Sequence, residues 1–350
     1  MSVILKLPLA ILLYLLAAGS GAQDKSAVVL FATGGTIAMK IDPVKRAPVP
    51  ALSGEDLLAT VPDIAKYARV EVVNVANVPS GYMDPVLWSS LTKQVRAALA
   101  RPDVAGAVVS HGTDTLEETA YWLDLTIDSD KPVVLIGAQR NASESDFDGP
   151  RNLLNAVRIA VEVRSRGKGA VIALNDRINA AREVTKAHTS NVETFESGDA
   201  GFLGEVDSDR VVYWRSPTRR QYVALTAERL PYVEIVPMYG GADGHLVEAA
   251  VAHGARGIVI QSLGMGNVNK PMYRAIQQAI GKGVAVVISS RVPHGRVLPH
   301  YGYEGGGQTL ATAGAVMGDD LSPQKARILL MLLLQSGVTA QKDLQAAFDH

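Results

Sequence analysis

The sequence predicts an α/β protein of two domains, each built on a mostly parallel sheet. Three observations lead there. Short apolar runs such as Val28–Ala32 and Gly106–Ser110 read as strands buried on both faces. They alternate with helix-length segments in a βαβ cadence. About 328 residues remain once residues 1–22 are set aside, more than one core usually serves.

Residues 1–22 carry Lys6, an apolar run from Leu7 to Ala18, and then Gly19-Ser20-Gly21-Ala22. That order predicts a secretory signal peptide cleaved after Ala22, and a periplasmic or secreted product. The run is too short for a membrane anchor, and no later stretch reaches 18 apolar residues, so no membrane partner is expected after processing. A net charge of −1 gives no electrostatic case for nucleic acid. The absence of cysteine excludes disulfides, thiolate nucleophiles and sulfur metal sites.

In chain order, Val28–Ala32 runs into Thr33-Gly34-Gly35-Thr36, a glycine turn that places Thr36 at a strand's carboxyl end. Both the third glycine of a dinucleotide fingerprint and the Lys-Ser/Thr ending of a phosphate loop are missing. Lys40–Leu52 holds three prolines and little periodicity, which predicts a long loop in the place of a lid. Ser53-Gly54-Glu55-Asp56 reads as a capping box. A strand is expected over Arg69–Val75 and a helix over Trp88–Leu99.

Gly106–Ser110 ends in His111-Gly112-Thr113-Asp114-Thr115, a second hydroxyl-bearing turn. Thr115 and Glu118 have capping-box spacing, so Thr113 and Asp114 fall between strand end and helix start. A strand over Pro132–Gly137 follows, then a helix carrying Leu153, Leu154, Val157 and Val161. The strand Ala170–Leu174 precedes a polar segment containing Lys186. The cadence weakens over Asn191–Pro231, which places a linker at 215–231 between a domain of 27–214 and one of 232–350. The second domain reads as strands at Glu234–Pro237, Gly257–Gln261 and Val284–Ile288, with helices near Glu248–His253 and Met272–Ile280. Ser322-Pro323 caps a helix through Leu329–Leu334, and a last helix spans Ala340–Phe348.

Two threonines at strand ends, a neighbouring aspartate and a lysine suit nucleophilic or acid–base chemistry. A threonine hydroxyl needs a base beside it, and a neutral lysine is one. Each residue also serves equally well in a plainer role: Thr36 and Thr113 as turn formers, Asp114 as a cap, Lys186 as a solvated charge. The seven histidines form no metal-binding spacing, and neither metal nor cofactor is expected.

Thr33-Gly34-Gly35-Thr36-Ile37-Ala38 and His111-Gly112-Thr113-Asp114-Thr115-Leu116-Glu117-Glu118-Thr119-Ala120 resemble the two signatures of bacterial-type L-asparaginases and glutaminase-asparaginases. The similarity continues through Val184-Thr185-Lys186, Gly266-Asn267-Val268-Asn269 and Ser322-Pro323-Gln324-Lys325-Ala326-Arg327, and the signal peptide points to the exported type II class. The resemblance implies a larger N-terminal domain and a smaller flavodoxin-like C-terminal α/β domain. It also implies a homotetramer with active sites at the interface of an intimate dimer.

Carried over by motif, Thr36 is the nucleophile toward the side-chain amide of L-asparagine or L-glutamine, and Thr113, Asp114 and Lys186 support it. Gly112 and Ser80 line the substrate site, with Ser80 at its α-carboxylate. Asn269 and Glu304 match residues contributed by a neighbouring subunit. Two departures stand out. Met39–Leu58 lacks the family's lid tyrosine, so either the lid works differently or another ring, Tyr82, Tyr301 or Tyr303, replaces it, and Gly81 stands where a glutamine usually follows Ser80. Rival readings are an exported two-domain solute-binding protein, which needs no nucleophile, and an amidase for another small amide or a D-amino acid. A nucleic-acid-linked amidotransferase would need a basic patch or an added domain.

Overall fold

The computed structural model describes residues 25–227 and 229–350, so the signal-peptide reading of 1–22 lies outside the described residues. The strands in chain order are β1 (Ala27–Gly34), β2 (Met39–Ile41), β3 (Pro48–Pro50), β4 (Arg69–Val78), β5 (Val104–Ser110), β6 (Val133–Ile136), β7 (Ala170–Leu174), β8 (Arg177–Ala180), β9 (Thr185–Lys186), β10 (Phe195–Glu196), β11 (Gly204–Val206), β12 (Val211–Tyr213), β13 (Val233–Pro237), β14 (Gly257–Ser262), β15 (Ala285–Ser290) and β16 (Val316–Met317). The helices are α1 (Gly54–Ala59), α2 (Pro85–Leu99), α3 (Leu116–Thr126), α4 (Gly149–Val161), α5 (His245–Ala252), α6 (Lys270–Gly281), α7 (Gly307–Thr312), α8 (Pro323–Gln335) and α9 (Gln341–Phe348).

The larger sheet has the order β12-β11-β8-β7-β6-β5-β1-β4, with β4, β1, β5, β6 and β7 parallel. The strands β8, β11 and β12 extend it antiparallel. All eight residues of β1 are buried, because helices cover both faces. Ala27, Val29 and Phe31 face the helices α2 and α3, whereas Val28 and Leu30 face α1 and α4. The smaller sheet, β13-β14-β15-β16, is wholly parallel, as the flavodoxin-like expectation requires. Its Val236, Ile258 and Ile288 pack with α5 and α6, and its Val259 and Val287 pack with α8.

Helix α8 also packs against α3, so its apolar run is buried between the two sheets in one continuous core. Among the described residues no helix is long and apolar enough to cross a membrane.

Three local expectations change. Lys40–Leu52 is not irregular throughout, since β2 and β3 pair there as a hairpin, Lys40 opposite Val49. Asp42 N donates to Ala47 O and Ala51 N to Ala38 O, which makes Lys40–Val49 the hydrogen-bonded pair. Pro48 and Pro50 therefore sit where no ladder donor is needed, and prolines alone do not exclude a strand. The Thr115–Glu118 capping box does not form; the Thr115 hydroxyl donates instead to Ser80 O at 2.8 Å, a longer-range bond than spacing can reveal. Asn191–Pro231 also contains β10, β11 and β12, too short to carry a visible alternation. The Ser53–Asp56 capping box and the Ser322 cap both form.

Candidate active site

Three loops meet at the carboxyl ends of the adjacent strands β4, β1 and β5. Gly34 and Gly35 both hold positive φ, 106° and 83°. A Cβ on Gly35 would lie 2.2 Å from the Gly112 Cα and N, so the turns carrying Thr36 and Thr113 touch backbone to backbone. Gly112 packs in turn on Ser80, whose side chain would be 2.8 Å from a Cβ there. The sheet order, with β1 between its two neighbours, places Thr36 in the middle of this junction. Among the described residues no side chain hydrogen-bonds to the Thr36 hydroxyl, which leaves it free to meet a ligand.

Lys186, on β9, closes the group from the other side. Its Nζ donates to Thr113 Oγ1 at 2.8 Å and to Asp114 Oδ1 at 2.7 Å. The Thr113 hydroxyl donates a hydrogen bond to Gln139 Oε1 at 3.0 Å. Asp114 is 80% exposed on its side chain and Lys186 only 15%, so the carboxylate presents a free oxygen to solvent while the ammonium is partly enclosed. The Lys186 amide is fixed by Glu117 Oε2 at 2.6 Å, from the first turn of α3.

Beneath the turn lies His111, fully buried. Its Nδ1 donates to Gly112 O at 2.7 Å, and its Nε2 accepts from the Thr119 hydroxyl at 2.9 Å. Thr119 Oγ1 accepts from Trp88 Nε1 at 2.8 Å, which leaves its proton for the imidazole and fixes the neutral tautomer. Burial drives the His111 pKa down to about 4. This histidine braces the turn and takes no charge at neutral pH.

The sequence compares closely with a known family. Residues 27–219 match the family model described as asparaginase, N-terminal, and residues 232–348 that of the glutaminase/asparaginase C-terminal domain. The chain belongs to the bacterial-type (type II) L-asparaginase and glutaminase-asparaginase family. L-asparaginase 2 of Bacillus subtilis is 38% identical over 344 residues, covering 95% of this chain and 89% of that protein. L-asparaginase 2 of Escherichia coli is 37% identical, covering 88% of each chain. The crystal structure of a probable cytoplasmic L-asparaginase from Campylobacter jejuni, 36% identical, superimposes with a TM-score of 0.85 over 93% of this chain and 99% of that one.

Within this asparaginase-family chain, Thr36, Ser80, Gly112, Thr113, Asp114 and Lys186 converge. Asn269 and Glu304 do not join them. Asn269 caps α6, accepting from Met272 N at 3.0 Å, and Glu304 pairs with Arg274 at 3.1 Å. Val268 N donates to Gly305 O at 2.8 Å, so these two residues share one patch of the second domain. Exposed Tyr301 and Tyr303 stack in the same loop, whereas Tyr82 lies in the same turn as Ser80. A Cβ on Gly81 would meet nothing within 4 Å, so the missing glutamine leaves open space.

Sequence reading missed Gln139, Glu117 and the Trp88–Thr119–His111 chain. Gln139 had a usable signal, since it follows β6 at the same edge of the sheet. The other two are fixed by contacts between elements and had none. Among the described residues no three His, Asp or Glu side chains converge as a metal cage would require.

Proposed function

We propose that this protein hydrolyses the side-chain amide of L-asparagine, and to some extent L-glutamine, to the acid and ammonia. The observation that carries the reading is the Lys186 ammonium bridging Thr113 Oγ1 and Asp114 Oδ1, beside the Gly35–Gly112 contact that brings in Thr36. Names of relatives support it: proteins 37–38% identical to this chain along most of its length are called L-asparaginase.

In this mechanism Thr36 Oγ1 attacks the amide carbon and its proton ends on the departing nitrogen. The C–N bond breaks, ammonia leaves, and the acyl group remains as an ester on Thr36. Water held by Thr113 and its Lys186–Asp114 partners then attacks the ester, releasing the acid and restoring the hydroxyl. Asp114, largely exposed, also pairs with the substrate's α-ammonium, and Ser80 receives the α-carboxylate. Backbone N–H groups of the Thr113 turn stabilise the developing oxyanion.

The same reading completes the site with Asn269 and Glu304 from a second copy in a homotetramer, which explains why they sit apart from the threonines within one chain. It divides the chain at 215–231 and exports it to the periplasm or medium through residues 1–22. Periplasmic placement draws support from a Haemophilus influenzae relative, 37% identical, named probable periplasmic L-asparaginase.

Ammonia release from L-asparagine and L-glutamine tests the proposal, with Thr36→Ala as control and intact-mass detection of an acyl-enzyme on Thr36. Release that survives the substitution defeats the assignment of Thr36. Stoichiometric binding without release would favour a solute-binding protein. The open space at Gly81 favours one further reading, an amidase for another small amide or a D-amino acid, which a substrate panel distinguishes.

A further inference from the structure

Lys325 is a buried charge that the mechanism does not use. It lies in the first turn of α8, in the second domain, and is 3% exposed. Its ammonium donates to the carbonyl oxygens of Arg182, at 3.0 Å, and of Val184. Those carbonyls are four and two residues before Lys186. No carboxylate lies within ion-pair distance of Lys325 among the described residues; Glu117, Glu183 and Asp320 attract it from further away, and Arg182 repels it. Burial lowers its pKa to about 8, so it remains largely protonated at neutral pH. An apolar side chain would be far cheaper to enclose here, so the lysine calls for a reason.

The segment it grips supplies one. Strand β9 is two residues long and, among the described residues, pairs only with β10, outside both main sheets. It has little cohesion of its own to place Lys186. The second domain holds its approach at two points. Lys325 binds the carbonyls, and Asp320, just before α8, binds the Arg182 guanidinium at 2.9 Å. On the far side Glu117 fixes the Lys186 amide.

We propose that Lys325 is a positioning residue for the amidase reaction: by clamping the 182–184 backbone, it lets the second domain hold Lys186 in reach of Thr113 and Asp114. The inference rests on the asparaginase reading above.

The test compares full-length wild type with Lys325→Met, close in length but without a donor, and Lys325→Gln, which keeps N–H donors without the charge. Steady-state ammonia release gives kcat and KM, and amide hydrogen exchange reports protection across residues 182–187. The expected result is a fall in kcat of about 10- to 100-fold for Lys325→Met with KM within about twofold, since small displacements of a catalytic group act on rate. Protection of 182–187 falls in parallel, and Lys325→Gln recovers part of both. Unchanged protection, or unchanged kcat in a folded variant, overturns the proposal. A purely structural role would lower the melting temperature while leaving kcat of the folded enzyme alone, which also overturns it. Should Lys325→Met not fold, Lys325→Gln against wild type carries the same comparison. Wild type without ammonia release would defeat the asparaginase reading, while hydrogen exchange would still decide whether Lys325 holds the Lys186 segment.

Discussion

Replacing Gly35 with alanine tests the junction on which the site depends. Its φ of 83° and ψ of −177° lie in a region that L residues enter only at a cost of about 1–3 kcal/mol. The new methyl would also meet the Gly112 Cα and N at 2.2 Å, where ordinary contact begins at 3.4 Å. Both atoms are backbone, so no side chain can swing aside. The turns carrying Thr36 and Thr113 must part by about 1 Å, and a misplacement of that size costs about 100-fold in rate. That corresponds to about 2.7 kcal/mol of lost transition-state stabilisation. The assay is kcat/KM for ammonia release on folded protein, with circular dichroism to confirm the fold. Gly240→Ala serves as control, because a Cβ there meets nothing within 4 Å. A Gly35→Ala enzyme within about threefold of wild type in kcat/KM would refute the reasoning.

Other substitutions probe the site one group at a time. Lys186→Met removes the donor to Thr113 and Asp114, and kcat should fall by about 10²- to 10⁴-fold; an effect confined to KM would contradict a role in proton movement. Gly81→Gln fits the open space beside Ser80 and should lower KM for L-asparagine, and an unchanged KM would remove Gly81 from the account of substrate binding. His111 titrates near 4 in the fold and near 6.5 unfolded, so below pH 6.5 the unfolded chain takes up a proton that the native state refuses. Stability should therefore fall on acidification from pH 6.5 to 4 by about 3 kcal/mol. His111→Gln should lack this component in urea titrations, and parallel pH profiles for the two proteins would count against it.

Much of the site was legible because open parallel sheets put ligand-binding loops at strand carboxyl ends. Val28–Ala32 and Gly106–Ser110 announce buried strands by their unbroken apolar character, and the hydroxyl-bearing turns after them meet in the fold. The Asn175-Asp176 turn, with φ of 49° and 64°, went unread although its residue types suit a tight hairpin. The β2–β3 hairpin was hidden because its prolines look like loop residues until the pairing register is known.

The sequence by itself determined the two-domain α/β class, the family, and the turns that bear Thr36, Thr113 and Asp114, because local composition and strand-end position encode them. Tertiary structure decided the rest. Only packing brings Gly35 onto Gly112, and only long-range contacts set Lys186 between Thr113, Asp114 and Glu117, with Lys325 behind it. Those partners lie about 70 to 140 residues apart in the chain, and no periodicity or spacing rule of local sequence reaches that far.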